Sequence, residues 1–197
     1  MHPTWVPLLS AVAIFHYCPF LVLAYQPVQA YVYLLIAIFT IIGPIVSVLL
    51  MHKSGYIKDI RMPTQKERYA PLILTTVYHS VLTYFMITKM DGLLTISALM
   101  LSVSVTLSLL TFITSYQKIS IHTASFSGAI GFFLSMRIFY PNYPLLNPLI
   151  IAIICSGIVM AARLALKAHT HKEVWLGFSV GLASCFIVNS FLLFFLY

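Results

Sequence analysis

The chain has 197 residues, of which 61% are hydrophobic and 8% are charged, and its formal net charge at pH 7 is +7. Soluble domains carry about 25% charged residues, and a soluble fold of this size exposes too much surface to hide so many apolar side chains. The composition therefore excludes an ordinary soluble domain and indicates an integral membrane protein. Because the basic residues lie between apolar runs, their charge favours anionic lipid or phosphate as a partner, and not nucleic acid.

Apolar runs long enough to cross a bilayer follow one another along the whole chain. A helix needs about 20 apolar residues to cross the hydrocarbon core, and the sequence predicts about seven such spans, near residues 5–25, 28–51, 69–88, 93–116, 121–139, 145–166 and 174–197. The runs are continuous and do not alternate, which favours helices over barrel strands. The first run lacks a basic start and a small-residue cleavage site, so we expect a retained span. We expect one all-α domain, residues 1–197, folded as a polytopic transmembrane bundle.

Alternate connections of a seven-span chain lie on the same membrane face. The polar segments 52–68, 117–121 and 163–173 therefore share a face, and they hold most of the basic residues. The positive-inside rule would make this face cytoplasmic. If the charges instead bind phosphate, their position reports the site, so the membrane face stays open.

Two of these segments carry cations and a histidine beside predicted span ends. Arg61 and Arg68 are seven residues apart where the chain enters the third span, and arginine offers a planar fork of donors that suits phosphate oxygens. Lys118 and His122 lie between the fourth and fifth spans, where a histidine can donate a proton to a leaving oxygen. Taken singly, each segment also fits a lipid-headgroup contact or a structural histidine.

The third segment places Arg163, His169 and Glu173 around the start of the seventh span. His169 and Glu173 are four residues apart, so a helix starting there puts both on one face. A carboxylate bonded to one imidazole nitrogen fixes the tautomer and leaves the other nitrogen as a nucleophile. Together the three segments supply arginines for an anion, a histidine for proton transfer and a carboxylate-supported second histidine.

With these residues the chain resembles the type 2 phosphatidic acid phosphatase superfamily, the membrane lipid-phosphate phosphatases. That family shows Lys, six residues, Arg-Pro; then Pro-Ser-Gly-His; then Ser-Arg, five residues, His, three residues, Asp. The spacing from Arg163 to His169 to Glu173 reproduces the third motif, His122 stands in the second, and Arg61 and Arg68 reproduce the spacing of the first. The resemblance covers roughly residues 61–181. Departures occur at five motif positions: Arg61, Tyr69, Ile121, Ala162 and Glu173.

The resemblance implies a six-helix phosphatase-type core and a metal-independent lipid phosphate phosphatase without a cofactor. His169 would be the nucleophile that forms a phosphohistidine, Glu173 would orient it, and His122 would protonate the leaving group. The phosphate would be bound by four cationic side chains: Arg61, Arg68, Arg163 and Lys118. The substrate would be a lipid phosphate or prenyl pyrophosphate, its headgroup in the site and its tail in the surrounding lipid.

Alternatives from other classes remain at this stage. A non-catalytic protein that binds or transports phosphorylated lipids would use the same arginines without needing His122 and His169. A prenyltransferase-like helical enzyme would need aspartate-rich magnesium motifs, and no two aspartates are close together in this chain. We expect a bacterial inner (plasma) membrane location, with no protein partner evident. His16 and His79, inside predicted spans, are expected to make interhelical hydrogen bonds, and His171 is expected to be a spectator.

Overall fold

A computed structural model describes residues 3–59, 65–90 and 92–196 of the chain. Every regular element in these ranges is helical. The α-helices are α1 (Val6–Tyr17), α2 (Gln29–Ala37), α3 (Gly43–Lys53), α4 (Gln65–Lys89), α5 (Leu94–Tyr116), α6 (Ile121–Phe139), α7 (Leu146–Ala165) and α8 (His171–Leu196). The prediction of an all-α chain is therefore confirmed for this part of the molecule.

Five helical segments within the described ranges are long and apolar enough to cross a membrane. They are Pro19–Lys53, Glu67–Lys89, Leu94–Tyr116, Leu146–Ala165 and His171–Phe195. The first of them joins α2 and α3 through a π-helical turn, Ile38–Ile42. These segments match five of the seven predicted spans to within several residues at each end, apart from the longer N-terminal part of the first. The count of seven stays a prediction.

The first predicted span, residues 5–25, is not one continuous helix. Helix α1 ends at Tyr17, and Cys18 leaves the helical region with φ −129° and ψ 52°. Pro19 explains the break, because a proline ring disfavours the helical conformation of the residue before it. The chain continues in 3₁₀ turns over Pro19–Val28. At 1.5 Å per residue, the 12 residues of α1 reach about 18 Å, which is shorter than the ~30 Å hydrocarbon core.

Helix α6 matches the predicted span 121–139 but differs in character from the five apolar segments. It lies inside the bundle, and 11 of its 19 residues are buried. Because other helices cover it, its inner positions include small and polar residues such as Gly128, Gly131 and Ser127. Small residues at such positions let helices approach closely in a membrane protein. α6 is therefore an interior helix, packed chiefly against α8 and α7.

The backbones of α6 and α8 are in direct contact. A Cβ atom added at Gly181 of α8 would overlap the carbonyl oxygen of Ala124, and one added at Gly131 of α6 would overlap that of Leu182. A Cβ added at Gly177 would lie 2.5 Å from the carbonyl oxygen of Ser120. Any larger residue at these positions would force the two helices apart. The contact fixes the N-terminal ends of α6 and α8 beside each other.

Hydroxyl and amide side chains join neighbouring helices inside the bundle. Such interhelical hydrogen bonds supply specificity where lipid removes the hydrophobic driving force between helices. Three examples are Thr106 with Ser184 at 2.6 Å, Thr83 with Ser104 at 2.9 Å, and Asn189 Nδ2 donating to Ser135 Oγ at 3.1 Å. These bonds tie α5 to α8, α4 to α5, and α6 to α8.

Candidate functional site

The start of α8 holds a histidine–carboxylate pair. His169 Nδ1 lies 2.6 Å from Glu173 Oε2, and the two side chains are 5% and 19% exposed. Thr170 sits between them as the residue before the helix, and its hydroxyl accepts the backbone N–H of Glu173. This is a capping arrangement, which satisfies one free N–H of the first helical turn. The helix start therefore holds the carboxylate where it meets the imidazole.

The carboxylate determines which imidazole nitrogen carries the proton. Because an ionised Glu173 can only accept a hydrogen bond, Nδ1 of His169 donates to it and Nε2 keeps its lone pair. Burial lowers the pKa of His169, Glu173 opposes this through its hydrogen bond and charge, and the positive charges of Arg68 and Lys118 lower it further. The net direction is down from 6.5, so His169 is neutral and able to act as a nucleophile at pH 7.

A cavity of about 610 Å³ opens beside this pair, within the usual size of a small-molecule site. One end of it is lined by Arg68, His122, Arg163 and His169. These residues come from the start of α4, the start of α6, the end of α7 and the residues just before α8. The three polar segments singled out in the sequence therefore meet at one cavity. Their chemical roles stay predictions.

The start of α6 is docked on the start of α8. The N–H of Ser120 donates to the backbone oxygen of Glu173 at 3.2 Å, and the hydroxyl of Ser120 accepts the N–H of Thr123 at 3.4 Å. Ser120 is thus the cap of α6 and its link to α8. His122 follows two residues later and lines the cavity. This local geometry brings His122 to the cavity end that His169 also lines.

Arg163 is in the last turn of α7 and faces the cavity. Its Nε atom is buried and has no hydrogen-bond partner among the residues that the structure describes. A buried donor left without an acceptor costs about 1–3 kcal/mol, and more when it is charged. Arg68 lies close enough to Arg163 and Glu173 for their charges to act on it. Two guanidinium groups and an unpaired donor favour an anion at this end of the cavity.

The other two predicted phosphate-binding residues are Arg61 and Lys118. Arg61 lies outside the described residues. Lys118 is described, but it does not line the large cavity: its Nζ donates to the backbone oxygen of Ala168 at 3.1 Å and lies 4.0 Å from Glu173 Oε2. It lines a second, smaller pocket, which shares Ala168 and His169 with the large cavity. The structure therefore separates Lys118 from the two arginines of the cavity.

Most of the remaining lining of the cavity is apolar and comes from inside the bundle. It includes Val48 from α3, Leu72 from α4, and Leu99 and Val103 from α5. The sequence predicts a lipid tail that stays in the surrounding lipid, whereas this cavity offers an apolar space between the helices themselves. The apolar space went unnoticed in the sequence because residues that line a cavity and residues that face lipid are equally hydrophobic.

Helix α1 forms part of the cavity wall, which could not be predicted from the sequence. Val6 and Ser10 of α1 line the cavity, and Ser125 Oγ of α6 donates to the backbone oxygen of Pro3 at 3.0 Å. This contact joins residues 122 positions apart. The N-terminal segment, which has no counterpart in the three motifs, is therefore part of the candidate site.

The remaining histidines differ from expectation in their partners. His79 is buried and lines the cavity, but its Nδ1 bonds to the backbone oxygen of Thr75 on its own helix, at 2.9 Å, and not to another helix. The acceptor lies on the same helix because a histidine side chain can reach the backbone oxygen of the residue four positions earlier. His16 is exposed on α1 and makes an edge contact with Tyr17. For both residues these contacts lie within their own helix, and the predicted interhelical hydrogen bonds are not among them.

Comparisons with protein-family models, with curated proteins and with solved structures gave no match to this chain. Function therefore has to be inferred from the geometry and chemistry of the site. Within the described ranges, no group of three or more His, Cys, Asp or Glu side chains is arranged to hold a metal ion.

Proposed function

We propose that the chain is a membrane-embedded phosphatase that hydrolyses a lipid phosphate or prenyl pyrophosphate through a phosphohistidine intermediate. One observation carries the proposal: Arg68, His122, Arg163 and the Glu173-bonded His169 line one cavity whose remaining lining is mostly apolar. Such a cavity suits an amphiphile with an anionic head. A binder of phosphorylated lipids would need the arginines and the apolar lining, but not the oriented imidazole.

In the first step, the Nε2 lone pair of His169 attacks phosphorus and forms an N–P bond. The P–O bond to the lipid breaks, its electron pair stays on the departing oxygen, and protonated His122 gives that oxygen a proton. Glu173 accepts the Nδ1 hydrogen throughout and stabilises the positive charge that develops on the imidazole. The product of this step is phosphohistidine and the dephosphorylated lipid.

In the second step, water attacks the phosphorus of phosphohistidine. His122, now neutral, takes a proton from this water, the N–P bond breaks, and its electron pair returns to His169. Inorganic phosphate leaves and both histidines are back in their starting states. Arg68 and Arg163 hold the non-bridging oxygens and stabilise the negative charge of both transition states. Such stabilisation by fixed donors in a water-poor site is usually the largest single contribution to the rate enhancement.

The proposal extends to the predicted architecture and location. It includes a six-helix phosphatase-type core with about seven spans in total, in a bacterial inner membrane. The five apolar segments and the interior helix α6 support this arrangement. Helix α1 would then be an addition to the core that covers the cavity.

Phosphate release from a panel of lipid phosphates and prenyl pyrophosphates, measured with the purified chain in detergent, tests the proposal. We expect release that is abolished by His169→Ala and unaffected by His16→Ala, which removes an exposed histidine of α1. Brief reaction with ³²P-labelled substrate should give an acid-labile, base-stable protein phosphate that is absent from His169→Ala. Binding of the lipid phosphates without any release would instead favour a non-catalytic binder, and release that survives His169→Ala would exclude this nucleophile.

A further inference from the structure

A second pocket adjoins the large cavity at Ala168 and His169, which line both. It has a volume of about 270 Å³ and is lined by Lys118, Lys167, Thr170 and His171, together with His169 and Glu173. Lys167 and His171 are exposed, so this pocket faces outward. His169 lines both spaces, so an interior cavity and a polar pocket open to the outside meet at this residue.

The backbone of Lys167 is in a conformation that lysine rarely adopts. Its φ is +50°, in the left-handed region where glycine is favoured. The N–H groups of Lys167 and Ala168 donate to the backbone oxygens of Leu164 and Arg163, respectively. This hydrogen-bond pattern occurs at the C-terminal end of many helices, usually with a glycine at the left-handed position. A glycine would end α7 with less strain. The lysine at this position therefore suggests a use for its side chain, which the pocket provides.

The second lysine of the pocket is held in place. Lys118 Nζ donates to the backbone oxygen of Ala168, next to Lys167, at 3.1 Å. The pocket also contains a negative charge, Glu173, but that carboxylate is bonded to His169 at 2.6 Å and lies 4.0 Å from Lys118 Nζ. Two lysines against one engaged carboxylate leave a net positive pocket, and the N-terminus of α8 adds its partial positive charge.

We propose that this outer pocket is a binding site for inorganic phosphate, through which the phosphate released from His169 leaves for the aqueous phase. Lys118 and Lys167 are its cationic groups, so Lys118 acts on the product and not on the bound lipid headgroup. The exit role rests on the proposed phosphatase activity, whereas the binding of phosphate by the pocket does not. The same chemistry could hold the phosphate of a lipid headgroup, which the experiment separates.

The test measures binding of inorganic phosphate to the full chain in detergent by ³¹P NMR titration, for the wild type, Lys167→Gly and Lys172→Ala. Lys172 is a neighbouring exposed lysine that does not line the pocket. We expect Lys167→Gly to weaken phosphate binding about fivefold, as for the loss of one exposed ionic contact, and Lys172→Ala to bind like the wild type. Because glycine suits the left-handed backbone, Lys167→Gly should keep the Tm, so weaker binding cannot be ascribed to misfolding.

Equal phosphate affinity of Lys167→Gly and the wild type would overturn the site. A second titration measures binding of the same variants to vesicles that contain phosphatidic acid. If Lys167→Gly loses vesicle binding but binds inorganic phosphate like the wild type, the inorganic phosphate site is also overturned, since the pocket would then hold a lipid headgroup. If phosphate binding depends on Lys167 but the chain releases no phosphate from any lipid, the exit role and the phosphatase proposal fail while the anion site stands. If hydrolysis proceeds and its inhibition by added phosphate weakens in Lys167→Gly, the exit role is supported.

Discussion

His169 Nδ1 and Glu173 Oε2 lie 2.6 Å apart across the first turn of α8. This pair leads to the most direct prediction. Glu173→Gln keeps the size of the side chain and its place in the helix cap but can no longer fix the tautomer or balance the imidazolium charge. We expect kcat for lipid phosphate hydrolysis to fall about 10²–10⁴-fold, with a Tm close to that of the wild type. Unchanged kcat would show that Glu173 has only a structural role.

The pH dependence of kcat/KM follows from the pKa of His169. Neutral His169 is the proposed nucleophile, and its pKa is lowered below 6.5 chiefly by burial and also by Arg68. Activity should therefore be present at neutral pH and lost as the pH falls below 6.5 through the lowered value. Arg68→Gln removes one of the charges that lower this pKa, so the acidic limb should move to higher pH. Lys172→Gln removes a positive charge that does not act on His169, and its acidic limb should stay in place.

Arg163 offers a test of bidentate phosphate recognition. Its buried Nε has no hydrogen-bond partner within the described residues, and a bound phosphate could accept from Nε and a terminal nitrogen together. Lysine keeps the charge but cannot form this fork. We expect Arg163→Lys to lower kcat/KM about 10–100-fold and Arg163→Ala to lower it further. Equal kinetics for the lysine variant and the wild type would exclude the bidentate contact.

The close contact between α6 and α8 predicts that alanine destabilises the protein at Gly181 but not at Gly157. A Cβ at Gly181 would overlap Ala124, whereas a Cβ at Gly157 of α7 meets nothing within 4 Å. Gly181→Ala should lower the unfolding free energy by about 1–3 kcal/mol and reduce activity by displacing His122 from His169. Gly157→Ala should be neutral or raise stability by up to about 1 kcal/mol. Thermal unfolding of both variants in detergent, beside phosphate release, makes the comparison.

The apolar lining of the cavity predicts that activity depends on the length of the lipid chain. Val103 lines the cavity from the middle of α5, whereas Arg68, His122 and Arg163 lie at helix ends. Val103→Trp would fill part of the apolar space and leave the region around the arginines open. Hydrolysis of long-chain lipid phosphates should then fall by about tenfold or more, as expected when several methylene groups lose their burial, while short-chain substrates keep their kcat/KM. An equal effect on both chain lengths would indicate that the tail stays in the surrounding lipid.

The sequence predicted the helical class and most helix positions because long apolar runs leave few alternatives in lipid. It also predicted the pairing of His169 with Glu173, since four-residue spacing at a helix start determines which side chains can meet. The break at Cys18 could have been anticipated from Pro19, but the place of α1 at the cavity could not. That place depends on a contact between Pro3 and Ser125, and neither residue type signals such a contact.

The position of Lys118 shows a further limit of sequence reasoning. Lys118 and His122 are four positions apart, yet Lys118 lines the outer pocket and His122 lines the inner cavity. The start of α6 lies between them, and the bond from Ser120 to Glu173 turns the chain at that point. Spacing along the sequence predicts which residues are close together. It does not predict which of two adjoining pockets each residue lines, because that depends on how the helix ends pack against each other.

The glycine contacts between α6 and α8 also restrict how the site can be regulated. Sliding α8 by one residue would bring Cβ atoms against the carbonyl oxygens of Ser120 and Ala124, which only glycine allows. A shift of helix register, a common switching movement between packed helices, is therefore closed to this pair. A ligand or a modification that changes activity would therefore act outside this contact, for example on α1, which lines the cavity, or on the exposed turn at Lys167.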